Sequence, residues 1–183
     1  MRIRTGRLTA EAVDCDISPV VKPTAKERVM DSPIAYRQIL ASCHCGTVRV
    51  RLDWPQSGQA IPVRACSCAL CTKHKAVWTS HPDGRFHLQI DDDARVKRYR
   101  FGTRTADFHI CLTCGVMPIA TCTIDGTPYA VINVNTFDDV DRGELVETAT
   151  DFEGETTDNR LARRQRNWTP GAVGTLEHEL PTG

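Results

Sequence analysis

From residue 41 onward the chain alternates. Val48, Val50 and Leu52 fall on one face of an extended segment, with Thr47, Arg49 and Arg51 on the other. Phe86, Leu88 and Ile90 repeat the pattern against Arg85, His87 and Gln89, and Phe108 and Ile110 flank His109. A period of two marks a strand with one face in a core. The segment 129–135 opens on four successive apolar side chains (Tyr129 to Ile132) and predicts a strand buried on both faces, and residues 119–123 predict another. Asp83-Gly84 and Asp125-Gly126 are hairpin-grade turn dipeptides between such runs. The expectation is a mainly β, sandwich-like domain, with a helical turn only at residues 69–75.

The flanks read differently. Residues 1–40 show no sustained periodicity and scattered prolines (Pro19, Pro23, Pro33), which predicts a poorly packed extension with at most a helical turn near residues 24–30. Residues 41–168 are then the folded domain and 169–183 a flexible tail. The run Arg160-Leu161-Ala162-Arg163-Arg164-Gln165-Arg166 has no aromatic interleaved and reads as the solvated face of a helix or loop.

Composition narrows the function. The 183 residues suit one domain. Lys plus Arg and Asp plus Glu each number 23, so no charge excess favours nucleic acid. No apolar run approaches the roughly 20 residues of a membrane helix, and nothing apolar follows the basic start as a secretory signal requires. The expected location is cytoplasmic, where clustered cysteines mean metal or redox chemistry more than disulfides.

Seven of the nine cysteines fall into three tight groups: Cys43 and Cys45; Cys66, Cys68 and Cys71; Cys111 and Cys114. Thiolates one or two residues apart can grip one ion, and zinc takes four tetrahedrally at about 2.3 Å. If the strand ends bearing Cys43/Cys45 and Cys111/Cys114 meet, they close one structural zinc. Gly46 and Gly115, each following the second cysteine of a pair, would permit the turn that aims backbone N–H groups at sulfur. The middle group offers three ligands. Its fourth position is open for chemistry, or filled by His74 or a remote residue, or the three thiols are metal-free. An open zinc with three thiolates suits a soft ligand such as a substrate thiol, which it would hold deprotonated for attack on an aldehyde carbonyl. Lys73, Lys75, Arg49, Arg51 and Arg64 are candidate contacts for substrate carboxylates, or ordinary surface charge.

These motifs resemble the glutathione-dependent formaldehyde-activating enzyme family, which includes the centromere protein V group. Ser42-Cys43-His44-Cys45-Gly46-Thr47-Val48 is similar to its opening motif, Cys66 to Cys71 with Thr72-Lys73 to its middle motif, and Cys111 to Gly115 to its Cys-x-x-Cys-Gly. The chain departs at Met117-Pro118-Ile119. It departs again where an insertion holding the basic run separates Phe152-Glu153-Gly154 from Asn167-Trp168. The resemblance implies a β-tent of small antiparallel sheets and two zinc ions, a structural one on Cys43, Cys45, Cys111 and Cys114 and an open one on Cys66, Cys68 and Cys71. It further implies a carbon–sulfur lyase that joins a glutathione-like thiol to formaldehyde, with the middle cysteines as catalytic residues.

Two other readings compete. One is a non-catalytic zinc-binding interaction module. The other is a thiol redox enzyme acting through Cys122, for which the bland alternative is a small buried residue on the strand at 119–123. His44, His81, His87 and His109 are expected away from any metal.

Overall fold

The computed structural model describes residues 34–56 and 60–174. The helical turn expected near residues 24–30 lies outside the described residues. Among the described residues, eleven strands and two α-helices follow in chain order: β1 (Tyr36–Ser42), β2 (Val48–Pro55), β3 (Ile61–Cys66), α1 (Ala69–His74), β4 (Val77–Thr79), β5 (Arg85–Ile90), β6 (Val96–Tyr99), β7 (Asp107–Cys111), β8 (Ile119–Ile124), β9 (Thr127–Asn133), β10 (Leu145–Thr150), α2 (Thr157–Asn167) and β11 (Thr169–Val173). The domain is mainly β, as the alternation predicts.

The strands form one open, branched sheet. One path runs β1-β2-β5-β11-β9-β4-β3-β10, and β8, β7 and β6 branch from β9. Most pairings are antiparallel, but β10 runs parallel to β3 and β11 parallel to β5. The β8–β9 hairpin is closed by Asp125 and Gly126, both with positive φ (50° and 79°), the backbone that a two-residue hairpin of this hand requires.

The core has two faces because β8 and β9 are covered on both. Ile119, Ala130 and Ile132 point into a cluster with Ile39, Val48, Val50, Leu52 and Leu88. Their neighbours Ala120, Cys122 and Val131 point the other way, into a smaller cluster with Trp78, Met117 and Trp168. Double burial is what the unbroken apolar run predicts, although β9 itself ends at Asn133, two residues before the predicted end. The smaller cluster is the floor on which the functional site is built.

Three features differ from the sequence expectation. Strand β1 starts at Tyr36 and buries Ile39 completely opposite Leu52, so packed structure begins before residue 41. The segment after 168 is β11 as far as Val173, not loose chain; it leaves β9 after Pro170 and joins β5 from Gly171, tying the two halves of the sheet. The basic run, read as the solvated face of a helix or loop, forms the eleven-residue helix α2, whose arginines face a pocket, and it is capped by the Thr156 hydroxyl accepting from the Asn159 N–H.

On β7 both faces are covered. Phe108 and Ile110 pack on the smaller cluster, and His109, read as lying opposite the apolar face, is itself buried. Its Nε2 lies 2.8 Å from the Thr121 hydroxyl, and burial pushes its imidazole down to about 4, so it is neutral at pH 7.

Candidate metal centres and the pocket beside them

The first and third cysteine pairs meet. Two turns of matching closure present them: the Cys43 N–H donates to the Val48 carbonyl at 2.9 Å, and the Cys111 N–H to the Val116 carbonyl at 3.0 Å. Each spans six residues and each contains a glycine with φ of 76°, Gly46 and Gly115, a conformation costly for any residue with a Cβ. The four sulfurs of Cys43, Cys45, Cys111 and Cys114 lie within 4.8 Å of one another.

The spacing tests the fit to a metal. Four sulfurs at about 2.3 Å from one ion stand about 3.8 Å apart along each tetrahedral edge. The Cys43–Cys45 and Cys45–Cys111 sulfurs are 3.7 and 3.5 Å apart. Backbone donors also point inward, as the Val48 N–H reaches the Cys43 Sγ at 3.3 Å. Burial pushes the Cys43 thiol up, whereas the Thr47 hydroxyl and N–H draw the Cys45 thiol down. Burial opposes ionisation of Cys111, yet the N–H groups of Cys114 and Thr113 leave it net lowered. Four such thiols cannot all ionise side by side without a cation among them. The residues fit a closed, thiolate-bound metal.

The middle group is assembled locally. Cys66 ends β3, Cys68 caps the N-terminus of α1 and Cys71 lies in its first turn, so the last two share a helix face. α1 stops at Lys75, whose left-handed backbone (φ 52°) turns the chain into β4. The Sγ atoms of Cys66, Cys68 and Cys71 lie within 4.8 Å of one another, and no further His, Cys, Asp or Glu among the described residues joins them, His74 included. Cys71 is buried under Trp78, whose indole N–H donates to its Sγ at 3.1 Å. The Cys66 thiol is drawn down, chiefly by the Cys71 thiol, while Cys71 is pushed far up by Cys66 and by burial. One thiolate is favoured and a second opposed, the behaviour of a donor set that awaits a cation.

This triad opens onto a pocket of about 740 Å³. Trp78, Ala106, Phe108, Ala120 and Val131 line its apolar side. Asp151, which follows the residue paired with Cys66 at the end of β10, stands beside the triad. Phe152, Glu153, Gly154 and Trp168, separated in sequence by the inserted segment, return to the same cavity.

The α2 arginines are the residues that sequence reading misplaced. Arg160, Arg163 and Arg164 line the pocket, and Arg164 is only 6% exposed. Their i, i+3, i+4 spacing, continued four residues on by Trp168, is the helical signal that could have found them. It was invisible to a search for apolar stripes. Arg163 makes two 2.8 Å hydrogen bonds to the Glu155 carboxylate and lies 3.8 Å over the Phe152 ring. Of the five cations marked as substrate contacts, Arg64 alone lines the pocket. Arg49 pairs with Asp91 and Arg51 with Asp53, while Lys73 and Lys75 lie outside the lining.

Met117, Pro118 and Ile119 are core residues and line no part of the cavity. Cys122 is buried at 4% exposure, 3.5 Å from an Arg164 nitrogen, in keeping with a core role. No helix among the described residues is long and apolar enough to cross a membrane.

No curated protein matches the chain. A crystal structure of a Rhodobacter sphaeroides protein is 25% identical over 60% of this chain and 99% of that one, with a TM-score of 0.45. A family model described as glutathione-dependent formaldehyde-activating enzyme matches residues 38–155, a span that holds all seven clustered cysteines. The chain belongs to the glutathione-dependent formaldehyde-activating enzyme family.

Proposed function

We propose that this protein is a zinc-dependent carbon–sulfur lyase that interconverts S-(hydroxymethyl)glutathione with glutathione and formaldehyde. The supporting observation is the position of the Cys66, Cys68 and Cys71 sulfurs, mutually in reach and open to a cavity large enough for a tripeptide thiol. In this reading Cys43, Cys45, Cys111 and Cys114 hold a structural zinc, and Cys66, Cys68 and Cys71 a second one. Zinc bound by the triad would supply a soft cation that keeps an incoming thiol ionised near neutral pH.

The chain's own residues do the rest. In the forward direction the substrate sulfur forms a bond to the aldehyde carbon, the C=O pair moves to oxygen, and the thiol proton ends on that oxygen. Asp151, beside the triad, is the carboxylate placed to take that proton and return it. Trp78, Phe108 and Val131 exclude water from the reacting sulfur. Trp78 also fixes Cys71, so the triad keeps its shape when substrate enters. A pocket at the triad favours this reading over a non-catalytic zinc module, and a cluster of free thiols suits a reducing compartment such as the cytoplasm.

The test is metal content and turnover together. The wild-type chain should hold two zinc equivalents and accelerate exchange between formaldehyde and S-(hydroxymethyl)glutathione measured by NMR. Cys68→Ser should lose one equivalent and the acceleration while remaining folded. Exchange no faster than in buffer, with both sites loaded, would sink the proposal.

A further inference from the structure

Two guanidinium groups in the pocket wall have no carboxylate to neutralise them. Glu155 takes up Arg163 and lies 3.7 Å from the Arg160 Nε. Among the described residues neither Arg64 nor Arg164 forms an ion pair, although Asp151 and Glu153 also line the cavity. Arg164 is more than nine-tenths buried. Its Nη1 donates to the Thr105 carbonyl at 3.1 Å and hydroxyl at 2.8 Å, its carbon lies 4.8 Å over the Trp168 ring, and its Nε has no hydrogen-bond partner among the described residues. Arg64 is held by a relay: its Nη2 donates to the Ser80 hydroxyl at 2.6 Å, and that hydroxyl donates to the Asn167 carbonyl at 2.7 Å, at the end of α2. Both side chains are fixed in place, Arg64 half-buried and Arg164 buried, and an unpaired charge out of water is costly unless something compensates it.

We propose that Arg64 and Arg164 form an oxyanion subsite within the pocket, which holds a carboxylate of the thiol substrate while its sulfur engages the cysteine triad. Arg64 lies two residues before Cys66 on β3, so the two side chains share a strand face about 6.6 Å apart along the backbone. A ligand with sulfur and carboxylate on one short frame spans that interval. The helix supplying Arg164 lies beyond residue 155, where the family match ends, so half of this subsite belongs to the chain's own added segment. The subsite rests on the thiol reading only for the identity of the molecule that carries the anion.

The test uses the full zinc-loaded chain and its intrinsic tryptophan emission, since Trp78 and Trp168 line the pocket. The probes are S-methylglutathione, its dimethyl ester and sulfate at fixed ionic strength, none of which has a thiol. The acid should give a saturable change, the ester should bind at least about tenfold more weakly, and sulfate should compete with the acid. Arg64→Met and Arg164→Met should each weaken the acid about tenfold and leave the ester unchanged. Circular dichroism checks the variants, and Arg64→Met carries the test alone if Arg164→Met does not fold. Equal affinity for acid and ester, wild-type affinity of Arg64→Met for the acid, or no arginine-dependent change with either acid or sulfate overturns the subsite. Arginine-dependent sulfate binding without formaldehyde exchange leaves the subsite standing and removes the thiol reading instead.

Discussion

The indole N–H of Trp78 donates to the Sγ of Cys71 across 3.1 Å, joining β4 to the short helix that carries the last sulfur of the triad. Trp78 is itself placed by its register opposite Arg64 on β3 and Asn133 on β9. A donor aimed at sulfur favours the thiolate and fixes where it points, the role that groups behind a metal ligand commonly play. Trp78→Phe keeps an aromatic wall and removes the donor. Its expected effect is a loss of about tenfold in zinc affinity at the triad, with the tetrad unaffected. Chelator competition resolving the two sites checks it, and equal weakening of both would contradict it.

Cys114→Ser should act on the whole domain. The tetrad joins the β1–β2 turn to the β7–β8 turn, and metal binding there is folding free energy. The expected result is a fall in melting temperature of about 10 °C or more, reproduced in the wild-type chain by a strong chelator. Unchanged melting would remove the structural assignment from these four residues.

Acid should loosen the pocket wall before it unfolds the sheet. The Arg163 guanidinium, with Arg160 and Arg164 behind it, holds the Glu155 carboxyl below its ordinary value of 4.5. A depressed carboxyl contributes stability that is fully present above the unfolded value and is lost as pH falls through the folded one. Below about pH 4.5, α2 should therefore lose its tie to Glu155, read as a shift of Trp168 emission before the far-ultraviolet signal changes. Glu155→Gln should show the shifted emission already at pH 7 and a flattened acid response. A pH response identical to wild type would contradict the role of this pair.

Gly171→Ala should be among the most damaging single changes outside the cysteines. A Cβ built there overlaps the carbonyl oxygen and ring of Phe86, because β11 passes directly against β5 where it changes partners. Backbone cannot yield as a flexible side chain can, so a loss of about 2–4 kcal/mol is expected, measured by denaturant unfolding. Gly174→Ala, with open space at its Cβ, is the control and should be close to neutral.

Sequence alone determined what depends on neighbours in the chain. Alternation at 48–52 and 85–90 identified β2 and β5, because a strand face is written every second residue. Cysteine spacing identified each grip, because one or two intervening residues already bring sulfurs within reach of one ion. Tertiary structure decided which grips converge, since Cys45 and Cys111 are separated by most of the sheet in sequence and meet only through strand order. It also decided the role of α2. An arginine stripe at 160, 163 and 164 reads as solvated because periodicity reports apolar burial alone, and only the cavity walled by β3, β4, β7, β8 and β9 turns that face inward. The same holds for β11, whose short Thr-Pro-Gly-Ala-Val run looks like a tail until β5 and β9 supply its hydrogen-bonding partners.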